Sequence, residues 1–227
     1  MCPLYIFAMY FRNSRRNKKY LDYIPGTTEF RLRGIEERER SECQNVTLTG
    51  FQRRTLKAER TIDLNDPFEN TFRVAEGAYL RQNGPGTIKE IDIVSNPDLN
   101  IAFEKKIDEF KRANKPCKPI YAFHGTKVCV IDNILKTNFD ISRAKRQAHG
   151  RGNYFSEYPT TALDYSDDRK HLIFCKLLPG NQYKGPDSSW PEYDSKLVNP
   201  HQQTEVSKMV IIQNKDQILP ICVIKLE

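Results

Sequence analysis

The sequence predicts an α+β domain with a mostly antiparallel β-sheet core and flanking helices. Two observations carry this prediction: apolar residues recur at helical spacing in two early segments, and short apolar runs separated by turn signals follow them. Composition agrees with a folded domain, because 11% of the 227 residues are aromatic, which argues against wholesale disorder. No run reaches the roughly 18 uncharged apolar residues that a membrane-spanning helix needs, so no membrane partner is expected.

The first helix is predicted to begin at Asn65 or Asp66, because either residue can cap it and Pro67 suits the first helical position. Residues 84–86, Gly-Pro-Gly, end this helix. Its apolar face is predicted to consist of Phe68, Phe72, Ala75 and Tyr79. A short strand is then indicated by Ile88, Ile91 and Ile93.

The second helix has the clearest boundary signals in the chain. Asn96 is its predicted cap, Pro97 takes the first helical position, and Asp98 faces the positive end of the helix dipole. Pro116 stops it. One face of this helix carries Leu99, Phe103, Ile107 and Phe110.

After residue 116 the pattern favours strands. Apolar runs predict them at residues 120–123, 153–156, 172–178, 209–213 and 218–226. A third helix follows residues 124–126, with Asn138 as its left-handed cap. Its inward-facing residues are Val128, Ile131 and Leu135. Residues 159–165 predict a short fourth helix.

Residues 1–64 are predicted to be a poorly ordered basic extension or the remnant of a neighbouring domain, with the folded domain at residues 65–227 and regular structure from about Leu64. Residues 1–60 hold 13 Lys or Arg against 7 Asp or Glu, a surplus of +6 out of the chain's formal charge of +7. The alternative is a nucleic-acid arm in residues 12–60, because clustered cations neutralise phosphates. The run from Phe51 to Arg54 supports that alternative weakly.

Cysteine spacing bears on metals and location. The six cysteines are scattered without CxxC or Cys/His ligand spacing, so reduced thiols and no metal site are expected. The apolar residues 4–11 precede a basic run, which reverses the order of a secretory signal. An intracellular location is therefore expected, in the nucleus or the cytoplasm, and residues 15–19 are only a weak nuclear signal.

His124 is the first candidate functional residue. A lone histidine is most often structural or exposed, but this one stands between an apolar strand and Gly125 at a helix start. Glycine permits close backbone approach to a ligand, and helix starts favour anionic and polar groups. Residues 152–155, Gly-Asn-Tyr-Phe, have two similar interpretations. An aromatic residue on a strand after a glycine loop either packs in the core or forms a wall on which a ligand stacks.

The order of several motifs is more specific than any one of them. They are Ala122-Phe123-His124-Gly125-Thr126, Gly150-Arg151-Gly152-Asn153-Tyr154-Phe155-Ser156, Tyr165-Ser166, Tyr193-Asp194-Ser195 and Asp216-Gln217-Ile218-Leu219-Pro220. In this combination the chain resembles the poly(ADP-ribose) polymerase catalytic domain family from about residue 65 to the C-terminus. The resemblance implies the diphtheria-toxin-like ADP-ribosyltransferase fold, with a split, mostly antiparallel sheet, and NAD as the ADP-ribose donor.

The resemblance also implies which residues bind NAD. His124 matches the histidine that hydrogen-bonds the nicotinamide-ribose hydroxyl, and Gly125 matches the glycine whose main chain pairs with the carboxamide. Thr126 stands where the family places a hydroxyl near the adenosine ribose. Tyr154 matches the tyrosine of the second motif, and Tyr165 matches the aromatic residue that stacks on the nicotinamide ring. No metal is required.

Two positions depart from the family pattern. Polymer-forming members carry a glutamate after the C-terminal strand motif, and the aligned residue here is Ile221. The triad His124, Tyr154, Ile221 resembles that of the mono-ADP-ribosylating branch. The family serine that donates to the carboxamide oxygen is replaced by Ala162. Loss of one neutral hydrogen bond costs about 0.5–1.5 kcal/mol, which weakens NAD binding roughly threefold to tenfold.

The predicted function is therefore mono-ADP-ribosylation, a glycosyl transfer from NAD to side chains of a protein acceptor with release of nicotinamide. Residues 140–152 correspond to the loop that covers the donor site in the family. The replacements Ile221 and Ala162 leave a second hypothesis open, a catalytically silent module of the same fold that binds or scaffolds. A third is a nucleic-acid-associated protein that works through its basic N-terminus, and polymer synthesis ranks lowest.

Overall fold

A computed structural model describes residues 50–63, 66–143, 148–198 and 209–227. All of them belong to one compact unit, Leu48–Glu227. Most of the predicted basic extension, residues 1–49, lies outside the described residues, as do Leu64 and Asn65. The predicted extension therefore remains a prediction for most of its length.

The described residues form nine strands and four α-helices. The strands are β1 (Gln52–Lys57), β2 (Ile88–Ser95), β3 (Ile120–His124), β4 (Asn153–Ser156), β5 (His171–Leu177), β6 (Gln182–Tyr183), β7 (Ser195–Val198), β8 (Met209–Ile212) and β9 (Ile218–Leu226). The helices are α1 (Pro67–Arg81), α2 (Pro97–Arg112), α3 (Val128–Thr137) and α4 (Pro159–Leu163). Single 3₁₀ turns occur at Ile141–Arg143 and Lys215–Gln217.

The strands form one sheet in the order β1-β2-β9-β5-β3-β4-β8-β7-β6. Every neighbouring pair is antiparallel except β6 and β7, which are parallel. Helices and a mostly antiparallel sheet therefore confirm the predicted α+β class. The fold is consistent with that of an ADP-ribosyltransferase domain.

The sheet is nearly divided between β3 and β4. Those strands share the single register pair Phe123 with Ser156. On either side, β3 pairs with β5 over five residues and β4 pairs with β8 over four. The two parts of the sheet therefore meet at a short junction. Beside this junction, β3 and β4 are not joined by a continuous ladder of hydrogen bonds.

The α3 face, Ile131, Ile134 and Leu135, joins a large cluster with residues of β3, β5 and β9. The prediction that Val128 faces inward is wrong: it is 40% exposed, because it is the first residue of α3 and the buried face is completed by Ile134. The α2 face forms a second cluster with residues that follow β5 and begin β9. The members of that second cluster, here called the α2 cluster, are Phe103, Ile107, Phe110, Leu178 and Leu219, with Leu99, Cys117 and Ile221 packed against it.

The predicted helix starts are confirmed by their capping bonds. Asp66 Oδ1 accepts from the Phe68 amide at 2.9 Å, and Asn96 Oδ1 accepts from the Leu99 amide at 3.4 Å. Asn96 also donates from Nδ2 to the carbonyl oxygens of Leu135 and Lys136 at 3.1 and 3.0 Å. One asparagine thus caps α2 and satisfies carbonyl groups at the end of α3.

Three strands differ from the sequence-based expectation. β1 begins at Gln52, before the expected onset of regular structure at Leu64, and only Leu56 of its six residues is buried. An edge strand with one buried residue has no apolar alternation to detect, and pairing with β2 forms it. β6 and β7 were not predicted either, because β6 has only two residues and β7 carries a buried lysine.

Candidate active site

His124 is the last residue of β3, beside the junction of the two parts of the sheet. The strand forms because Ala122 and Phe123 are buried and pair with Cys175 and Phe174 of β5. His124 itself is half-buried. The apolar strand thus carries one polar ring to the point where continuous strand pairing ends.

The ring of His124 is fixed by one hydrogen bond and two aromatic contacts. Nδ1 donates to the main-chain oxygen of Tyr154 at 2.8 Å, and the ring centroid lies 4.8 Å from that of Phe139 and 5.4 Å from that of Phe155. A carbonyl oxygen only accepts, so Nδ1 carries the proton and Nε2 of the neutral ring is an acceptor. Burial lowers the pKa of His124 to about 4, so the ring is neutral at pH 7.

We expect His124 to make stability depend on pH between its ordinary pKa of 6.5 and its folded pKa of about 4. In that window the unfolded chain binds more protons, so the free energy of unfolding rises with pH. The contribution is complete above pH 6.5, is lost as pH falls towards 4, and reaches at most about 3 kcal/mol. Denaturant unfolding at pH 7 and pH 5 measures it: the wild type should lose more stability than His124→Asn, and equal losses contradict the shift.

Gly125 packs against the backbone of α4. A Cβ atom built on Gly125 would lie 1.8 Å from the carbonyl oxygen of Ala162 and 3.0 Å from the amide nitrogen of Ser166. The Ala162 oxygen accepts from the Tyr165 amide at 3.1 Å. Any side chain at residue 125 would therefore displace the helix end that carries Tyr165, which is a packing reason for glycine that the sequence did not reveal.

Tyr154 is held by its side chain as well as by its main chain. Its hydroxyl donates to the Gly150 carbonyl oxygen at 2.6 Å and accepts from the His149 amide at 3.1 Å. The half-buried ring packs against a cluster that contains Trp190. Burial raises the pKa of Tyr154, the hydrogen bond from the His149 amide opposes that rise, and the charge of Tyr165 adds to it.

Tyr165 follows α4 and is 46% exposed, as a stacking surface requires. The loop after it is held by Asp168, a residue that the sequence analysis did not single out. Asp168 Oδ1 accepts from Ser166 Oγ and from the Lys170 and His171 amides at 2.9, 2.9 and 3.2 Å. The run of aspartates before β5 was the available signal, since such side chains often bond to nearby amides in turns.

Ala162 and Thr161 are both buried within α4. An alanine side chain has no hydroxyl, so residue 162 cannot supply the hydrogen bond that the resemblance assigns to the family serine. Thr126 is half-buried between β3 and α3. The start of α3 is joined to the loop after Tyr165, because Asp167 Oδ1 accepts from the Val128 amide at 3.1 Å.

Ile221 interrupts the register between β9 and β5. Cys175 pairs with Pro220 and Phe174 with Cys222, so Ile221 is the extra residue of a β-bulge. Its half-buried side chain packs against the α2 cluster. The rings that contact His124 belong to the other large cluster. The structure thus joins His124 to Tyr154 by the hydrogen bond of Nδ1, and it packs Ile221 against α2 residues together with Leu178 and Leu219.

The predicted covering loop is described at its two ends, and its residues 144–147 lie outside the described residues. At one end, Asp140 Oδ1 accepts from the Ser142 amide and hydroxyl at 2.9 and 2.7 Å. At the other end, Gly150 has a φ of +105°, and a Cβ there would lie 2.2 Å from the Ser188 carbonyl oxygen. Left-handed backbone and lack of space both require glycine at residue 150.

Arg53 and Arg54, the cations of the run that weakly supports a nucleic-acid arm, form ion pairs within the domain. Arg53 bonds to Asp92 and reaches Asp132 at 2.7 Å, and Arg54 pairs with Asp66 at 2.9 Å. Both therefore fasten β1 to its neighbours. Residues 12–49, the rest of the proposed arm, lie outside the described residues.

The described residues outside the predicted donor site contain a cavity. No group of three or more His, Cys, Asp or Glu is placed to hold a metal ion in residues 50–63, 66–143, 148–198 and 209–227. None of the helices in those ranges has the length and apolar character to cross a membrane. The cavity of about 300 Å³ is lined by Leu163 and by residues of the α1–β2 turn, the α4–β5 loop and the C-terminus. None of the predicted donor-site residues lines it.

Comparison with known proteins adds one finding. The family model for the poly(ADP-ribose) polymerase catalytic domain matches residues 70–220, about two thirds of the chain. The matched range begins within α1, ends within β9 and includes His124, Tyr154 and Tyr165. No curated protein matches the chain.

Proposed function

This chain belongs to the poly(ADP-ribose) polymerase catalytic domain family, whose members use NAD as a substrate, and from that premise we propose that it is a protein mono-ADP-ribosyltransferase. The acceptors are side chains of other proteins or of the chain itself, and nicotinamide is released. The single observation that supports the finer proposal is Ile221, an apolar side chain that packs against the α2 cluster. The resemblance aligns this residue with the elongating glutamate of polymer-forming members.

Donor binding is supported by the geometry around β3. The bond from Nδ1 of His124 to Tyr154 leaves Nε2 to accept from a hydroxyl of the nicotinamide ribose. The main chain of Gly125, assigned to the carboxamide, cannot be shielded by a side chain, because Ala162 fills that space. Tyr165 is exposed and is proposed to stack on the nicotinamide ring, with Tyr154 as the second wall.

Transfer breaks the bond between ribose C1′ and nicotinamide, which leaves as a neutral molecule with the bonding electron pair, through an oxocarbenium-like state. The chain contributes positioning more than acid–base chemistry: neutral His124 holds the ribose, and Tyr154 and Tyr165 hold the ring. Ile221 has no proton or charge to offer an acceptor hydroxyl. The acceptor therefore supplies its own nucleophile, such as a carboxylate, which forms the new bond to C1′.

Intact mass of the purified chain after incubation with NAD tests this function, beside a His124→Ala control. One or a few discrete ADP-ribose additions that are absent from the control are the expected result. A ladder of many additions contradicts the argument from Ile221. Absence of additions on both the chain and added proteins contradicts transfer, and a thermal shift with NAD then separates a silent NAD binder from a fold without the ligand.

The packing of Ile221 predicts that a glutamate is poorly tolerated there. Ile221→Glu places a carboxylate against the α2 cluster and should lower the free energy of unfolding by about 1–3 kcal/mol at pH 7. The deficit should shrink below the raised pKa of the new carboxyl, because protonation removes the buried charge. Ile101→Glu on α2 is the matched control, since Ile101 is 59% exposed. Equal denaturation midpoints for the two variants contradict the packing.

A catalytically silent module is the second candidate, and Ala162 is the observation that favours it. The residue is buried and provides no hydroxyl for the carboxamide oxygen. Restoring the hydroxyl with Ala162→Ser distinguishes the two candidates: a transferase should bind NAD roughly threefold to tenfold more tightly and retain transfer. A silent module should gain affinity without any ADP-ribose addition.

A further inference from the structure

Lys196 is a buried lysine two strands away from Tyr154, and the proposed donor chemistry does not involve it. Lys196 of β7 is only 2% exposed, which is rare for lysine. Its Nζ donates to the carbonyl oxygens of Asp187 and Pro186 at 2.6 and 3.4 Å. It also lies 5.3 Å from the ring centroid of Trp190 and 5.8 Å from that of Tyr183. Burial lowers the pKa of Lys196.

These contacts fasten residues 183–190, here called the β6–β7 segment, to the sheet. The segment begins at Tyr183 of β6, whose hydroxyl bonds to the carboxylate of Asp187. It ends at Trp190, which is 3% exposed and packs against Val198 and Ile211. One ammonium group thus satisfies two carbonyl oxygens and faces two aromatic rings of the same segment, an arrangement that combines charge-assisted hydrogen bonds with cation–π attraction.

The β6–β7 segment in turn contacts the residues that hold Tyr154. A Cβ on Gly150 would lie 2.2 Å from the Ser188 carbonyl oxygen and 2.3 Å from the Trp190 ring, so the segment presses directly on Gly150. The Gly150 carbonyl oxygen accepts from the Tyr154 hydroxyl at 2.6 Å. The Tyr154 ring itself packs against the cluster that contains Trp190.

Strand register gives the same relation independently. Lys196 pairs with Ile211, and Ile211 pairs with Tyr154. Paired residues of antiparallel strands point to the same face, so Lys196 and Tyr154 share a face two strands apart, roughly 10 Å between their Cα atoms. Lys196 is therefore placed beside the Tyr154 wall without touching the donor-binding residues.

We propose that Lys196 is a positioning residue for the donor site: its ammonium group anchors the β6–β7 segment against Gly150, and this contact fixes the Tyr154 wall. The inference rests on the proposed function, because the wall matters only if NAD binds there. Tyr154 is proposed to make the same contact with nicotinamide in the bound state and in the transition state. Loss of the Lys196 ammonium group should therefore weaken NAD binding and change the rate of the chemical step little.

The experiment compares three variants by two readouts. Lys196→Met removes the charge and keeps the chain length, Lys196→Arg keeps the charge and donors, and Lys176→Met is the matched control. Lys176 stands 5.8 Å from the ring centroid of Tyr121 on β5. Calorimetric titration with NAD gives the dissociation constant and the binding stoichiometry. Acrylamide quenching of fluorescence, excited at wavelengths that tryptophan absorbs and tyrosine does not, reports on Trp190, the single tryptophan of the chain.

Lys196→Met is expected to raise the dissociation constant for NAD about tenfold, equivalent to about 1.4 kcal/mol, at unchanged stoichiometry. Quenching of Trp190 should increase in the same variant without NAD. Lys196→Arg should restore most of both properties, and Lys176→Met should match the wild type. A variant that merely folds poorly lowers the stoichiometry and leaves the dissociation constant of the folded fraction unchanged, which counts against the proposal.

Gly150→Ala gives a second test that does not alter the lysine. Its Cβ should push the β6–β7 segment away and raise the dissociation constant in the same direction. Unchanged NAD affinity in both Lys196→Met and Gly150→Ala, with a wild type that binds, overturns the positioning role alone. A wild type that binds no NAD overturns the proposed function and the donor-site role of Lys196 with it.

Discussion

His124→Asn is expected to fold normally and to transfer ADP-ribose about a hundredfold more slowly than the wild type, equivalent to about 2.7 kcal/mol in the barrier. The asparagine amide can replace Nδ1 as the donor to the Tyr154 carbonyl oxygen, a bond of 2.8 Å in the wild type. No atom of the shorter side chain reaches the place of Nε2. The variant therefore keeps the structural bond of His124 and removes only the acceptor proposed for the ribose hydroxyl.

The rate of ADP-ribose addition under single-turnover conditions measures this effect, and circular dichroism checks the fold. His124→Ala serves as the comparison, because it removes both the bond to Tyr154 and the ribose acceptor. We expect both variants to be slow and only the alanine variant to be less stable at pH 7. Near wild-type transfer by His124→Asn shows that Nε2 does not hold the ribose.

Gly125→Ala is expected to lower the free energy of unfolding by about 3 kcal/mol, at the upper end of overpacking effects, and to abolish NAD binding. The added Cβ would lie 1.8 Å from the Ala162 carbonyl oxygen, and a main-chain atom yields less easily than a flexible side chain. Relief requires the end of α4 to move. Tyr165 moves with it, since its amide bonds to that same oxygen at 3.1 Å.

Gly77→Ala is the matched control for the same chemical change. Gly77 lies within α1, and its added Cβ would meet only the end of the Arg81 side chain at 3.8 Å, an ordinary contact. Alanine in a helix interior is favoured over glycine, so this variant should gain about 0.5–1 kcal/mol and keep NAD affinity. Denaturant unfolding and calorimetric titration with NAD test both variants, and a Gly125→Ala protein as stable as the wild type contradicts the close packing on α4.

Local signals explain why the helices were well predicted. Asp66, Asn96 and Asn138 each bond to main-chain groups within a few residues along the chain. Such bonds depend on the local sequence and on little else, so caps and apolar spacing can be read before the fold is known. The strands with apolar runs were accessible for the same reason.

Strands whose formation depends on pairing with other strands were not predicted from the sequence. β1 contributes one buried residue, and its place in the sheet depends on the pairing with β2 and on Arg53, which reaches carboxylates of β2 and α3. β7 carries a buried lysine that a sequence pattern reads as solvent-facing. Contacts distant in sequence make both strands, and no local period records them.

The same distinction between local and long-range interactions applies to the proposed donor site. The sequence by itself determined the α+β class, the capped starts of α1 and α2 and, through motif order, the family and the candidate residues His124, Gly125, Tyr154 and Tyr165. The fourth helix, predicted over residues 159–165, ends at Leu163. Only the tertiary structure decided that Nδ1 of His124 bonds to Tyr154, that Ala162 leaves no space for a side chain at Gly125, and that Lys196 shares a sheet face with Tyr154 two strands away. The physical reason is range: capping and periodicity act between neighbours along the chain, whereas burial, tautomer and close packing are set by groups that only folding brings together.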